Sequence, residues 1–264
     1  MFRREAAVIG ADSLQEHASI IVLSPHLDDA ALSCGSLLAQ TSPYTPVTVM
    51  SLFTSCHGQR PSLSARAFLN QCNARRAPAL YSRRRAEDKV ALREIGATGV
   101  HFGLHEALFR RRKDPRIPRF ARRLLPELDC VYPTYRLHVS RGRISPHDEP
   151  LLANLERRVR LASSKHDLIL APLGLGDHVD HVITHQLGKV LSAKRTVGWY
   201  ADQPYAYRAG REVPTPGGTR RVKHEVDQKQ KAKLVSWYGS QAGPLFGGRA
   251  VPELEEYVYL PVRG

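Results

Sequence analysis

Two stretches of this chain place histidines and carboxylates directly after an apolar run. Ser24-Pro25-His26-Leu27-Asp28-Asp29 follows the run 19–23, and Gly174-Leu175-Gly176-Asp177-His178-Val179-Asp180-His181 follows the run 167–173. His26 and Asp29 stand three residues apart, so a turn entering a helix presents both on one face. His181 can add a third ligand from a neighbouring strand end. Two imidazoles and one carboxylate, with a position left open for water, describe a catalytic rather than a structural zinc site. Zinc there would lower the pKa of the water toward ~7 and polarise a carbonyl. Asp28, adjacent to Asp29 but pointing elsewhere, is the candidate general base. His178 can face the same cavity. As an imidazolium it would stabilise an oxyanion or protonate a leaving amine, with Asp180 orienting and charging it.

A plainer reading has the histidines capping helices and Asp28 or Asp29 serving as an N-cap. One such tip would leave the two readings even, whereas the same tip after two separate buried strands favours chemistry. His57, His101, His105, His138, His147, His166, His185 and His224 are isolated and read as surface or satisfied core residues. Of these only His185, four residues after His181 on the same predicted helix face, is retained as an outside ligand candidate.

The elements that must position these residues alternate in type. Strands are predicted at 19–24, 47–53, 99–102, 167–173, 196–200 and 257–260, and helices at 30–40, 84–95, 151–162, 182–191 and 229–238. Gly96 is expected to close the helix at 84–95. This pattern specifies a Rossmann-like α/β fold with a mostly parallel sheet and helices on both faces. A single domain is expected over 1–264, with its core at about 19–260. The Arg- and Pro-rich stretch 109–150 should form short helices and loops that rim the site. In such sheets ligands bind beyond the carboxyl ends of the strands, where both polar tips fall.

Composition narrows the functional classes. Of 264 residues 42% are hydrophobic, ample for a large core, and no apolar run reaches the ~20 residues of a membrane span. The apolar piece within 1–10 is too short for a signal-peptide core, so a cytoplasmic location is expected. Cys34, Cys56, Cys72 and Cys130 form no Cys-x-x-Cys pair and should remain reduced. The net charge of +14 includes runs such as Arg83-Arg84-Arg85 and Arg110-Arg111-Arg112-Lys113. Without interleaved aromatics or a nucleic-acid motif, these runs read as solvated surface. An anionic substrate drawn in by segment 109–123 stays open.

Taken together, the motifs resemble the PIG-L/LmbE-like zinc N-deacetylases. The family's first motif, (A/S)-H-P-D-D-E, corresponds to Pro25-His26-Leu27-Asp28-Asp29-Ala30, and its H-x-D-H motif to His178-Val179-Asp180-His181. Softer matches are Arg84-Arg85-Ala86-Glu87-Asp88 with Ile95-Gly96-Ala97, the turn Gly103-Leu104-His105-Glu106-Ala107, Tyr200 to Ala206, and Ser240-Gln241. The resemblance implies His26, Asp29 and His181 as metal ligands, Asp28 as base, and His178 with Asp180 as the electrophilic or acid pair. Arg84 and Glu106 become substrate-contact candidates. An exposed Arg84 paired with Glu87 or Asp88 is the alternative. Three positions depart from the pattern. Leu27 replaces the usual Pro, Ala30 replaces a Glu that helps brace the pocket, and Gly176 stands where some members carry a Tyr.

The departures are most similar to members from antibiotic pathways. The implied activity is removal of an N-acetyl group from an amino sugar or related small molecule, with Zn2+ or another divalent ion such as Fe2+. Two other classes share features of the sequence. Non-haem iron oxygenases use the same ligand set, although usually on β-barrels. A basic binding protein could instead hold a purely structural metal.

Overall fold

The computed structural model describes residues 12–112, 117–209, 213, 215–248 and 250–262. The N-terminal stretch 1–10 and Lys113 lie outside the described residues. One seven-stranded sheet organises the chain, in the order β3-β2-β1-β4-β5-β7-β6. β1 (Ser19–Ser24), β2 (Val47–Ser51), β3 (Thr98–His101), β4 (Asp167–Pro172) and β5 (Thr196–Tyr200) run parallel. β7 (Glu256–Pro261) runs antiparallel to β5, and β6 (Thr219–His224) antiparallel to β7. Because side chains alternate along a strand, β1 feeds two cores. Ile21 and Leu23 pack on one face with Ile183 and Leu187, while Ile20 and Val22 pack on the other with Leu37, Leu38 and Leu92. Burial on both faces is why β1 and β4 read as unbroken apolar runs.

The chain passes from β1 outward to β2 and β3, then returns to place β4 on the other side of β1. The crevice at this reversal is where an open α/β sheet holds its ligand. α2 (Asp29–Thr41) leaves the tip of β1, and α7 (Val179–Ser192) follows the tip of β4. α4 (Ala77–Ile95) starts seven residues before the predicted boundary and ends at Gly96, whose φ of 77° needs a residue without Cβ. α6 (Glu149–Ala162) and α9 (Gln228–Ser236) fall close to expectation, and α1 (Asp12–Gln15) is a single turn.

The described part of stretch 109–150 contains α5 (Arg119–Leu124) and the 3-10 turns Pro126–Asp129, Val139–Arg141 and Pro146–Asp148. Besides α1, four α-helices and strands were not foreseen. α3 (Leu63–Gln71) buries only Ala65 and Leu69, and α8 (Tyr205–Ala209) is five residues long. β6 is a charged edge strand, and α10 (Gly239–Phe246) contains Pro244. The arginine runs also differ from a uniformly solvated surface, because Arg84 and Arg110 are buried. All four cysteines are free thiols, and among the described residues no helix is long and apolar enough to cross a membrane.

Candidate active site

Parallel pairing of β1 with β4 brings the two polar tips together. The first tip is a closed turn. Ser24 Oγ donates to the His26 carbonyl at 2.6 Å and accepts from Ala30 N–H at 3.1 Å. The His26 N–H donates to Asp29 Oδ2 at 2.7 Å, which aims that carboxylate back at its own turn. Asp29 Oδ2 then lies 3.2 Å from His26 Nδ1 and 3.4 Å from His181 Nε2. Donors held about 2.0–2.1 Å from a tetrahedral zinc stand about 3.3–3.4 Å from one another, which the two distances from Asp29 Oδ2 match, and all three donors lie within 4.8 Å of one another.

Each of the two imidazoles has its own carboxylate behind it. His181 Nδ1 meets Asp202 Oδ1 at 2.6 Å, leaving Nε2 to face Asp29. Asp202 Oδ2 also accepts from the Gly174 and Leu175 N–H groups at 2.9 and 3.3 Å, tying this carboxylate to the loop that delivers His181. His26 Nε2 lies 3.1 Å from Asp180 Oδ2. Such outer carboxylates fix the ring orientation and tautomer of ligating histidines.

A second group, His26, His178 and Asp180, also brings its ligand atoms within 4.8 Å of one another. Its carboxylate is already committed. Asp180 Oδ2 accepts from Ala107 N–H at 2.9 Å, and Oδ1 sits 2.7 Å from the Arg110 guanidinium, which also approaches Asp148 at 3.1 Å. An arginine-neutralised carboxylate is a weaker cation ligand than Asp29, whose partners are imidazoles.

This arrangement corrects the expected His178–Asp180 carboxylate pair. His178 caps α7, its Nδ1 accepting from the Asp180 backbone N–H at 3.2 Å, so in the neutral ring the proton sits on Nε2. Burial and the neighbouring His26 push its pKa down to about 3. It is therefore a neutral donor rather than an imidazolium. Capping and chemistry are compatible here, because the cap uses one nitrogen and leaves the other.

Asp28 occupies the N-cap position of α2 but makes no side-chain cap bond. Burial and the adjacent Asp29 push its pKa up to about 6, against the pull of Arg84 and His26. For Asp29, burial is outweighed by His181 and His26, which hold it well below the ordinary carboxylate range. Two adjacent aspartates are thus split, one held ionised and the other with its pKa raised toward neutrality.

Arg84 is buried rather than paired on the surface. It donates to Glu106 Oε2 at 2.9 Å and to Gln241 Oε1 at 2.7 Å, and its guanidinium lies 5.0 Å from the Tyr81 ring centre. Glu106 also accepts from the Tyr81 hydroxyl. Glu87 pairs instead with Arg83 and Ser240, and Asp88 with His101 and Tyr238. His185 turns away from the site, with Nδ1 3.0 Å from the Pro172 carbonyl and its ring on Trp199.

Arg84, Glu106, Asp28 and the proposed ligands all line one cavity of about 430 Å³. Its remaining wall includes Tyr205 and Gln241, which belong to the softer matches, and residues the sequence reading did not single out, among them Phe68, Tyr135, Arg136, Arg208 and Leu245. At Gly176 a Cβ would come within 2.1 Å of the Tyr205 ring. The side chain absent at 176 is replaced in space by Tyr205, whose ring centre is 5.3 Å from that of His181.

A mostly parallel sheet whose strand order reverses beside a His/Asp/His group able to hold a cation defines an open α/β fold with its site at the switch point. Residues 21–192 match the family model PIG-L, GlcNAc-PI de-N-acetylase, and the chain belongs to that family. It is 29% identical over 236 residues to 2'-N-acetylparomamine deacetylase of Streptomyces fradiae, covering 84% of this chain and 72% of that protein. Among solved structures, the zinc-inhibited form of a teicoplanin deacetylase superposes with a TM-score of 0.71 at 22% identity, over 93% of this chain and 98% of that one. The A40926 pseudoaglycone deacetylase gives 0.66 at 22% identity, over 94% and 98%. At that identity the superpositions establish the fold.

Proposed function

We propose that this protein hydrolyses the N-acetyl group of an amino sugar or related antibiotic-pathway intermediate, at a divalent-cation centre held by His26, Asp29 and His181. The observation that carries this reading is a single oxygen, Asp29 Oδ2, placed between two imidazole nitrogens at 3.2 and 3.4 Å beside the tuned base Asp28. The deacetylase names of the S. fradiae relative and of the teicoplanin and A40926 proteins support the reaction type.

A cation bound there, zinc foremost, acidifies a water molecule and polarises a carbonyl. Asp28 takes the proton of the attacking water and, as a carboxylic acid, can hand it to the departing amine. His178 offers its Nε2–H to the oxyanion that develops on the acyl carbon. Asp180 and Asp202 hold His26 and His181 in the orientation that presents their nitrogens, and Arg110 keeps Asp180 charged. Arg84 and Glu106, locked to each other at the cavity floor, shape the sugar side of the pocket.

Metal analysis combined with a screen of N-acetylated amino sugars for released acetate and free amine tests the proposal. Oxygen consumption without acetate release would instead favour the iron-oxygenase chemistry open to the same ligand set.

A further inference from the structure

The cavity over the site is electrically lopsided. Its acidic lining residues, Asp28, Asp29 and Glu106, are all buried and face His26, His181 or Arg84. The charged residues exposed in its wall are both arginines, Arg136 and Arg208. Arg208 extends from α8 and donates to the Leu245 carbonyl, which holds its guanidinium at the wall. Arg136 forms no hydrogen bond or ion pair with any of the described residues. Around these two cations the wall is aromatic and apolar, with Tyr135, Tyr205, Pro204, Pro244 and Leu245.

A low-dielectric cleft whose outer charges share one sign concentrates ligands of the opposite sign. A substrate carrying several ammonium groups would set them against Arg136 and Arg208 with no exposed carboxylate in the wall to receive them. Resting on the deacetylase reading for the reaction itself, we infer that the substrate class is anionic. The part of the molecule beyond the acylated amine carries a carboxylate or phosphate on an apolar or aromatic body, received by Arg136 and Arg208. This places the substrate apart from polycationic amino sugars. Neither arginine lies within stretch 109–123, so the charge preference belongs to the cavity rather than to the basic runs.

Three aryl glycosides of N-acetylglucosamine test this, bearing a para carboxylate, carboxamide or aminomethyl group. Solvent-exposed charge pairs change affinity about two- to fivefold each, so two arginines should favour the carboxylate over the carboxamide about four- to twenty-five-fold in kcat/KM. The aminomethyl probe should fall below both. In the double variant R136Q/R208Q the three should converge within about twofold, mainly through KM, and added salt should narrow the wild-type gap in the same way. R136Q alone, which breaks no hydrogen bond or ion pair among the described residues, should remove part of the gap. Calorimetric binding of the same probes to cation-loaded D28N separates the two readings. Anion-selective binding with no acetate released by the wild type would defeat the hydrolytic reading and leave the charge inference standing. Acetate release with equal binding of all three probes, with no binding of any, or with a gap unchanged in R136Q/R208Q would overturn the inference.

Discussion

Helix α2 touches two buried charge clusters, and they are built on opposite principles. At its N-terminus stands the site, where five buried acids, Asp28, Asp29, Glu106, Asp180 and Asp202, face two arginines, Arg84 and Arg110. Midway along, α2 breaks at Cys34, whose φ is −147°. The N–H groups exposed there, from Ser36 and Leu37, are accepted by Glu256 at 2.9 and 2.8 Å. Glu256 is paired in turn with the buried Lys231, which also donates to the Ala31 carbonyl at 2.8 Å. This second cluster is balanced, one cation to one anion, with both carboxylate oxygens occupied. It closes a gap in the backbone and has no charge to spare. The site holds an excess of negative charge in a place without bulk water. In the absence of a cation its imidazoles respond, and the pKa values of His26 and His181 rise against the opposing effect of burial. A buried cluster that balances itself is architecture, whereas one in deficit of positive charge is poised to take an ion.

Mutations can break that contrast. His181→Ala should abolish stoichiometric cation binding, measured by metal analysis after dialysis, and reduce turnover to background. Asp28→Asn should retain the cation and lower kcat about 10²–10⁴-fold, the range for loss of a general base. With wild-type protein, kcat/KM should fall as pH drops to about 6 and below, because Asp28 is a base only when deprotonated, and a bound cation moves this limb further toward acid. An identical acid limb in Asp28→Asn would assign it to another group.

Lys231→Met leaves Glu256 buried without its cation and should destabilise the fold by about 3–5 kcal/mol, read by denaturant unfolding. Cation affinity of the folded fraction should be unaffected, since the two clusters share only the helix. A matching loss of affinity would show that the break in α2 positions Asp29. Asp202→Asn should have the smallest effect, weakening cation affinity about 10–100-fold through the orientation of His181 while the unfolding midpoint of the metal-free protein changes little.

Much of the fold was legible because β1 and β4 are buried on both faces and carry their polar residues only at the tips. That arrangement separates strand from site within a dozen letters, and it pointed to His26, Asp28, Asp29, His178 and His181. The residues behind the imidazoles were harder to see. Asp202 follows the buried strand β5 as the aspartates follow β1, so the same tip rule could have given it a role, although without a neighbouring histidine it entered only as part of the softer match Tyr200 to Ala206. Arg110 was hidden within four consecutive basic residues. The 3-10 turn Ala107–Phe109 rotates it inward between Asp180 and Asp148 while its neighbours stay more exposed. Asp180 illustrates the limit of adjacency as evidence. Helix geometry sends its carboxylate to a contact with His26, 154 residues away, while its hydrogen bond to His178 comes from the backbone N–H. The missed elements have weak patterns for physical reasons, since an edge strand such as β6 is protected from further pairing by charge rather than by apolar alternation.

The separation of the proposed ligands bears on how the protein comes into being. His26 and Asp29 leave the ribosome early, whereas His181 follows only after more than half the chain has been made. At about 5–20 residues per second that interval lasts roughly ten to thirty seconds. Through it the first tip is an incomplete chelate, and a cation captured there would hold two donors and whatever else the nascent chain or solvent offered. The parallel pairing of β1 with β4 has to close before the third donor arrives. A cation taken up at the proposed site would therefore require the finished sheet, and because it would bind only that state, ion supply should raise both the active fraction and the stability of the folded protein.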